Sequence, residues 1–167
     1  MRFEFIKRLE KFFIAGMILA LSYLLYSWYQ GNQFKSNPLP AKTQKRVAHR
    51  QSYVLALIHD KYKVQPKIPL IISDEFHSNL YGLTGYKEGR ITILLNKKRF
   101  KESEEYMINE VIPHEYAHAM VFILGQKSSE NGHTKGWQKI CLELDGKQCE
   151  RYVDNEEIIR QKMGLTR

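Results

Sequence analysis

The chain predicts an α+β domain, a small β-sheet packed on helices, preceded by one helix able to span a membrane. Three observations carry that expectation. An uncharged apolar run fills residues 12–29. A short apolar segment and a hairpin signal, residues 68–95, lie between two stretches with helical spacing. The pentapeptide His114-Glu115-Tyr116-Ala117-His118 sits inside an apolar, helix-forming run that ends at Leu124-Gly125. The chain has 167 residues, and what the apolar run leaves suffices for one domain with a single hydrophobic core.

Residues 1–11 form a basic leader, with Arg2, Lys7, Arg8 and Lys11 against Glu4 and Glu10. Residues 12–29 follow as the expected transmembrane helix, about 27 Å long and close to the roughly 30 Å hydrocarbon core. Tyr23, Tyr26, Trp28 and Tyr29 crowd its far end as an interfacial aromatic belt would. The leader favours an inside amino terminus and a domain on the non-cytoplasmic side, although Lys35, Lys42, Lys45 and Arg46 pull against it. Ala20-Leu21-Ser22 offers a cleavage site for a signal peptide, but Tyr23-Leu24-Leu25-Tyr26 extends the apolar run past it, which favours an uncleaved anchor.

Residues 30–41, with Gly, Asn, Ser and two prolines, read as a linker, and 42–167 as the domain. Val47, Tyr53, Val54, Leu57, Ile58 and Tyr62 mark one buried face of a first helix, on or near which His49 and His59 read as surface or capping residues rather than ligands. Residues 68–72 read as a strand. Residues 80–86 and 90–95 flank Lys87-Glu88-Gly89 as a hairpin, with His77 in the preceding loop. Residues 103–124 read as one long helix, partly capped by Ser103, with Pro113 kinking it or starting a fresh segment. A polar turn over 125–132 leads into a helix over 133–144, and Asp154-Asn155-Glu156-Glu157 opens a short last one.

The chemistry concentrates on the pentapeptide. Histidines four apart on a helix share a face and can close on one metal, with Glu115 beside the water that the metal acidifies. Neutral imidazole suits Zn²⁺, and a catalytic zinc takes three protein ligands. A metzincin would place Gly and His where this chain has Val121 and Leu124, which excludes that class. Leu144-Asp145-Gly146 hints at an intramembrane protease, but Asn109, Glu110, Pro113, Glu115 and His118 make the motif helix too polar for a lipid-facing span. His133 stands out as the third ligand, with Glu143 the weaker candidate. Any single histidine of the six is ordinarily a surface or core residue, whereas three at consistent positions with a carboxylate are not.

The order of these elements resembles the SprT-like family of zinc metallopeptidases. The resemblance runs over residues 47–152 and is most specific in Arg90-Ile91-Thr92-Ile93-Leu94-Leu95-Asn96, in Asn109-Glu110-Val111-Ile112-Pro113-His114-Glu115-Tyr116-Ala117-His118, and in Gly132-His133 followed by Trp137. It implies a zincin-like, minigluzincin-type fold, one zinc per chain on His114, His118 and His133, and Glu115 as the catalytic base acting on protein or peptide substrates. The chain departs from better-known members in having no CxxC pair, hence no zinc ribbon, and in carrying the N-terminal apolar segment.

The net charge of +8 falls by two without the leader. Its basic residues lack the aromatic interleaving of a single-strand groove, so the membrane, rather than nucleic acid, is the expected anionic neighbour. The reading is a membrane-anchored zinc endopeptidase. The alternatives are an anchored zinc-binding module without hydrolysis and a DNA-associated protease facing the cytoplasm. Cys141 and Cys149 are read as core thiols in preference to a disulfide, which an exported domain would allow. Trp137 is read as core, and Tyr86 and Tyr152 as candidates for holding an oxyanion.

Overall fold

The computed structural model describes residues 2–75, 80–126 and 132–150. It divides into two compact units, Met1–Leu39 and Pro40–Arg167. The first is a single helix, α1 (Arg2–Ser36). Within it Arg8–Phe34 is long and apolar enough to cross a membrane, and its large apolar side chains are exposed, Phe12 at 77% and Leu19, Tyr23 and Trp28 with it. The helix continues into the residues read as linker. Gln30 donates to the Tyr26 hydroxyl and Gln33 to the Tyr29 hydroxyl, each at 3.0 Å, and these one-turn pairs support the extra turns. Only residues 37–40, with Pro38 and Pro40, separate it from α2.

In the second unit, α2 (Ala41–Tyr62) buries Thr43, Val47, Val54 and Ile58 along one face. It stops at Lys63, whose left-handed backbone (φ 57°) turns its N–H to the His59 carbonyl. Three strands follow, β1 (Leu70–Ser73), β2 (Gly82–Lys87) and β3 (Arg90–Asn96), in the order β1-β3-β2. β1 runs parallel to β3 and β2 antiparallel to it. Lys87 pairs with Arg90, so the hairpin turn has two residues, Glu88 (φ 52°) and Gly89 (φ 77°), rather than the three expected. β3 alternates as a half-buried strand should, with Ile93 and Leu95 fully buried.

Asn96 closes β3 and opens α3 (Lys97–Glu102), a helix the periodicity does not suggest. Its side chain accepts the Lys98 N–H at 3.1 Å and donates to the Leu80 carbonyl at 2.7 Å, fastening the strand end to the helix start. The long motif helix is built in three pieces. α4 (Glu104–Tyr106) starts under a Ser103 cap on the Tyr106 N–H, a π-helical turn spans Met107–Val111, and α5 (Ile112–Ile123) carries the motif. α6 (Lys135–Glu143) packs against α5.

The expectation of two core thiols is corrected: Cys141 and Cys149 form a disulfide, Cα atoms 5.8 Å apart. Both are buried as expected. They meet because the chain reverses after α6 through Asp145 (φ 65°), where the Gly146 N–H returns to the Cys141 carbonyl at 3.0 Å. A Cβ at Gly146 would lie 2.7 and 2.8 Å from the two sulfurs. Buried Glu110 accepts the N–H groups of Lys147 and Gln148 and holds this loop onto the π turn. His77, Tyr152 and the helix expected from Asp154 lie outside the described residues.

Candidate metal centre

Pro113 shapes the motif helix from within. It sits in the first turn of α5 and has no N–H, and its ring crowds the carbonyl four residues back. The preceding turn widens to π geometry, with the Ile112 N–H reaching Met107. The Asn109 carbonyl, which Pro113 cannot serve, accepts instead from Arg50 Nη2 at 3.1 Å. Arg50 also pairs with Asp145 at 2.7 Å, so α2 braces both the π turn and the disulfide loop.

From this start His114 and His118 share one face of α5. His133 reaches them from the segment just before α6, whose cap is Thr134 accepting the Trp137 N–H at 3.1 Å. The three Nε2 atoms form a nearly equilateral triangle, with sides of 3.3, 3.2 and 3.2 Å. Tetrahedral zinc with Zn–N of about 2.0–2.1 Å requires ligand nitrogens about 3.3 Å apart, so the triangle fits that ion. These residues form a group able to hold a metal ion. Burial, and then the neighbouring histidines, lower the pKa of His114 to about 3. Burial and His133 lower that of His118 to about 4. Both rings are therefore neutral at neutral pH, the form that ligates metal.

The rest of the site supports the triangle. Trp137, 1% exposed, packs against all three imidazoles with ring centroids 4.4 to 5.1 Å away. It is core, as expected, and it is also the wall of the site. Gly132 has φ +71°, and a Cβ there would stand 3.2 Å from His118 Cε1, so the Gly before His133 answers both a backbone and a space requirement. Glu115 is buried on the same helix, and burial raises its pKa to about 7 against the opposing hydrogen bond from Thr84.

Glu143 is not part of the triangle. The Tyr62 hydroxyl donates to its carboxylate and Lys139 approaches at 3.9 Å, which leaves His133 as the third member. His49 and His59 are exposed. Tyr86 stacks on Phe122 at 5.7 Å between ring centroids and serves packing there. Sequence reasoning missed Thr84 and Gly82, which touch Glu115 from β2 and carry no local signal, and Arg50, whose role is visible only once the proline leaves a carbonyl free.

The profile of the SprT-like family matches residues 49–157, about two thirds of the chain, including the three histidines and Glu115. The chain belongs to the SprT-like family. Members of the SprT-like family are generally assigned as zinc metallopeptidases, and the histidine triad of this one suits such a metal. The matched span begins in α2 and leaves out α1. No curated protein gives a match to the chain.

Proposed function

We propose that this SprT-like protein is a membrane-anchored zinc endopeptidase of zincin-like, minigluzincin type, holding one zinc on His114, His118 and His133 and cutting protein substrates. The observation that carries the reading is the Nε2 triangle of 3.2 to 3.3 Å with a buried carboxylate on the adjoining residue. Zinc, when bound, supplies Lewis acidity that polarises a carbonyl and acidifies water. The chain's own groups do the rest. Glu115, with its pKa near 7, accepts the proton of the attacking water and returns it to the leaving amine. Trp137 and Gly132 keep the rings packed in a fixed orientation.

The catalytic unit is assigned to the non-cytoplasmic side. Support comes from the basic leader before α1 and from the disulfide, which persists in oxidising compartments. Two experiments test the proposal. Purified full-length protein loaded with zinc should cleave casein or a peptide library; a fully loaded protein that cuts nothing reduces the reading to zinc binding. An alkaline phosphatase fusion after Arg167 should be active. A dark phosphatase with a bright cytoplasmic fluorescent fusion would invert the topology and bring nucleic acid back as a partner for the basic surface.

A further inference from the structure

The carboxylate of Glu115 lies against β2 with both oxygens close to that strand. Oε2 is 2.7 Å from Thr84 Oγ1, and the same hydroxyl is 2.9 Å from the main-chain oxygen of Glu115. On the other side, a Cβ built at Gly82 would fall 2.6 Å from Oε1, 2.8 Å from Cγ and 2.9 Å from Cδ. A Cβ there would force the Glu115 side chain to move out of its place. Gly82 is not among the glycines with positive φ, so the requirement there is for space and not for backbone freedom. Thr84 and Gly82 are two apart on β2 and so share its face.

A buried glutamate left to itself has rotatable bonds to settle and lone pairs to satisfy. A general base must stand within hydrogen-bond reach of the proton it takes, and an error of about 1 Å can cost about a hundredfold in rate. β2 narrows the first and serves part of the second. The Thr84 hydroxyl holds one oxygen, and the bare backbone at Gly82 leaves the room in which the carboxylate rests.

We propose that Thr84 and Gly82 are positioning residues for peptide hydrolysis, seating the Glu115 carboxylate in its working orientation. This rests on the peptidase reading above and adds what sets the base.

The test uses full-length chain in detergent, loaded with zinc and assayed on casein and fluorogenic peptides. T84V keeps the shape and removes the hydroxyl; it should lower kcat about ten- to a hundredfold, as loss of a hydrogen bond to a charged group does, with KM and zinc content unchanged. T84S keeps the hydroxyl and should restore most of kcat. G82A should lose at least as much as T84V while still binding zinc. A second reading needs no activity: in zinc-free chain carrying ¹³C-labelled glutamate, the carboxyl resonance that E115Q removes should shift in T84V and return in T84S. Wild-type kcat in T84V, or an unmoved resonance, overturns the proposal. A wild-type chain that holds zinc and cuts nothing overturns the peptidase reading instead, and the resonance then decides alone whether the seat exists. If T84V does not fold, T84A and G82A are judged on the same two readings.

Discussion

Helices α1 and α5 are both rich in apolar residues and cover them in opposite ways. α5 buries Ile112, Tyr116, Ala117, Met120 and Val121 against α2 and the sheet, which leaves a narrow face for His114 and His118. In α1, Phe12, Leu19, Tyr23 and Trp28 are exposed around the helix. A helix that is apolar all round needs apolar surroundings, and a bilayer is such a solvent. Composition alone makes the two look alike; among the described residues the difference is that α5 packs its apolar side chains on the chain while those of α1 stand exposed.

The sharpest way to separate them is chemical. E115Q should lower kcat by about a thousandfold or more, since it removes the base and spares the ligands, with zinc content unchanged by metal analysis. Activity surviving that change would strip α5 of its catalytic face. H133A should lose most of the bound zinc while E143A keeps it; the reverse pattern would mean that the Nε2 triangle is not the metal centre.

A charge in α1 should do what no substitution in α5 does. On the proposed anchoring, L19R costs about 3 kcal/mol at the centre of a spanning helix, so carbonate extraction should release more of the variant than of the wild type while thermal melting of the second unit stays put. A shifted melt would show that α1 is covered by protein and not by lipid.

Smaller effects probe the frame around the metal centre. Replacing Cys141 and Cys149 together by Ala should cost about 2 to 3 kcal/mol in urea unfolding, the chain-entropy value for so short a loop, with zinc retained. Stability of zinc-free protein should also depend on pH. His114 and His118 have lowered pKa values, so their contribution is whole above about 6.5 and is lost as pH falls towards 4 and then 3. Glu115 has a raised value, so its contribution is whole below 4.5 and is lost as pH rises through about 7. Between pH 6.5 and 4.5 the unfolded chain gains two protons on the histidines and the folded chain keeps one on Glu115. From these three groups alone unfolding takes up one proton, which lowers stability by about 1 kcal/mol per pH unit on acidification. Stability that instead rose on acidification, the sign left by Glu115 alone, would place the two rings in water.

What could be read from the sequence was local. Histidines one turn apart, a Gly ahead of His133, the Glu88-Gly89 turn and the apolar face of α2 each announce themselves within a few residues. Contacts between distant segments do not: Thr84 lies 31 residues from Glu115 and Arg50 lies 59 from Asn109. α3 escaped because six residues are too few for a helical period, and its origin is the Asn96 cap. The disulfide could not be chosen over thiols because buried cysteines satisfy both readings. The turn at Asp145-Gly146 was the available hint.

The π turn ahead of Pro113 also acts as a phase shift. One residue of α-helix advances the side-chain direction by about 100°. The wide turn over Met107–Val111 therefore offsets the angular register of everything after it from everything before it. Residues upstream, such as Tyr106 and Met107, are aimed into the core on one phase, and His114 and His118 are aimed at His133 on another. Deleting a single residue there would give a more regular helix by the usual rules. It would also rotate the two imidazoles away from the third by more than a quarter turn relative to the core that anchors them.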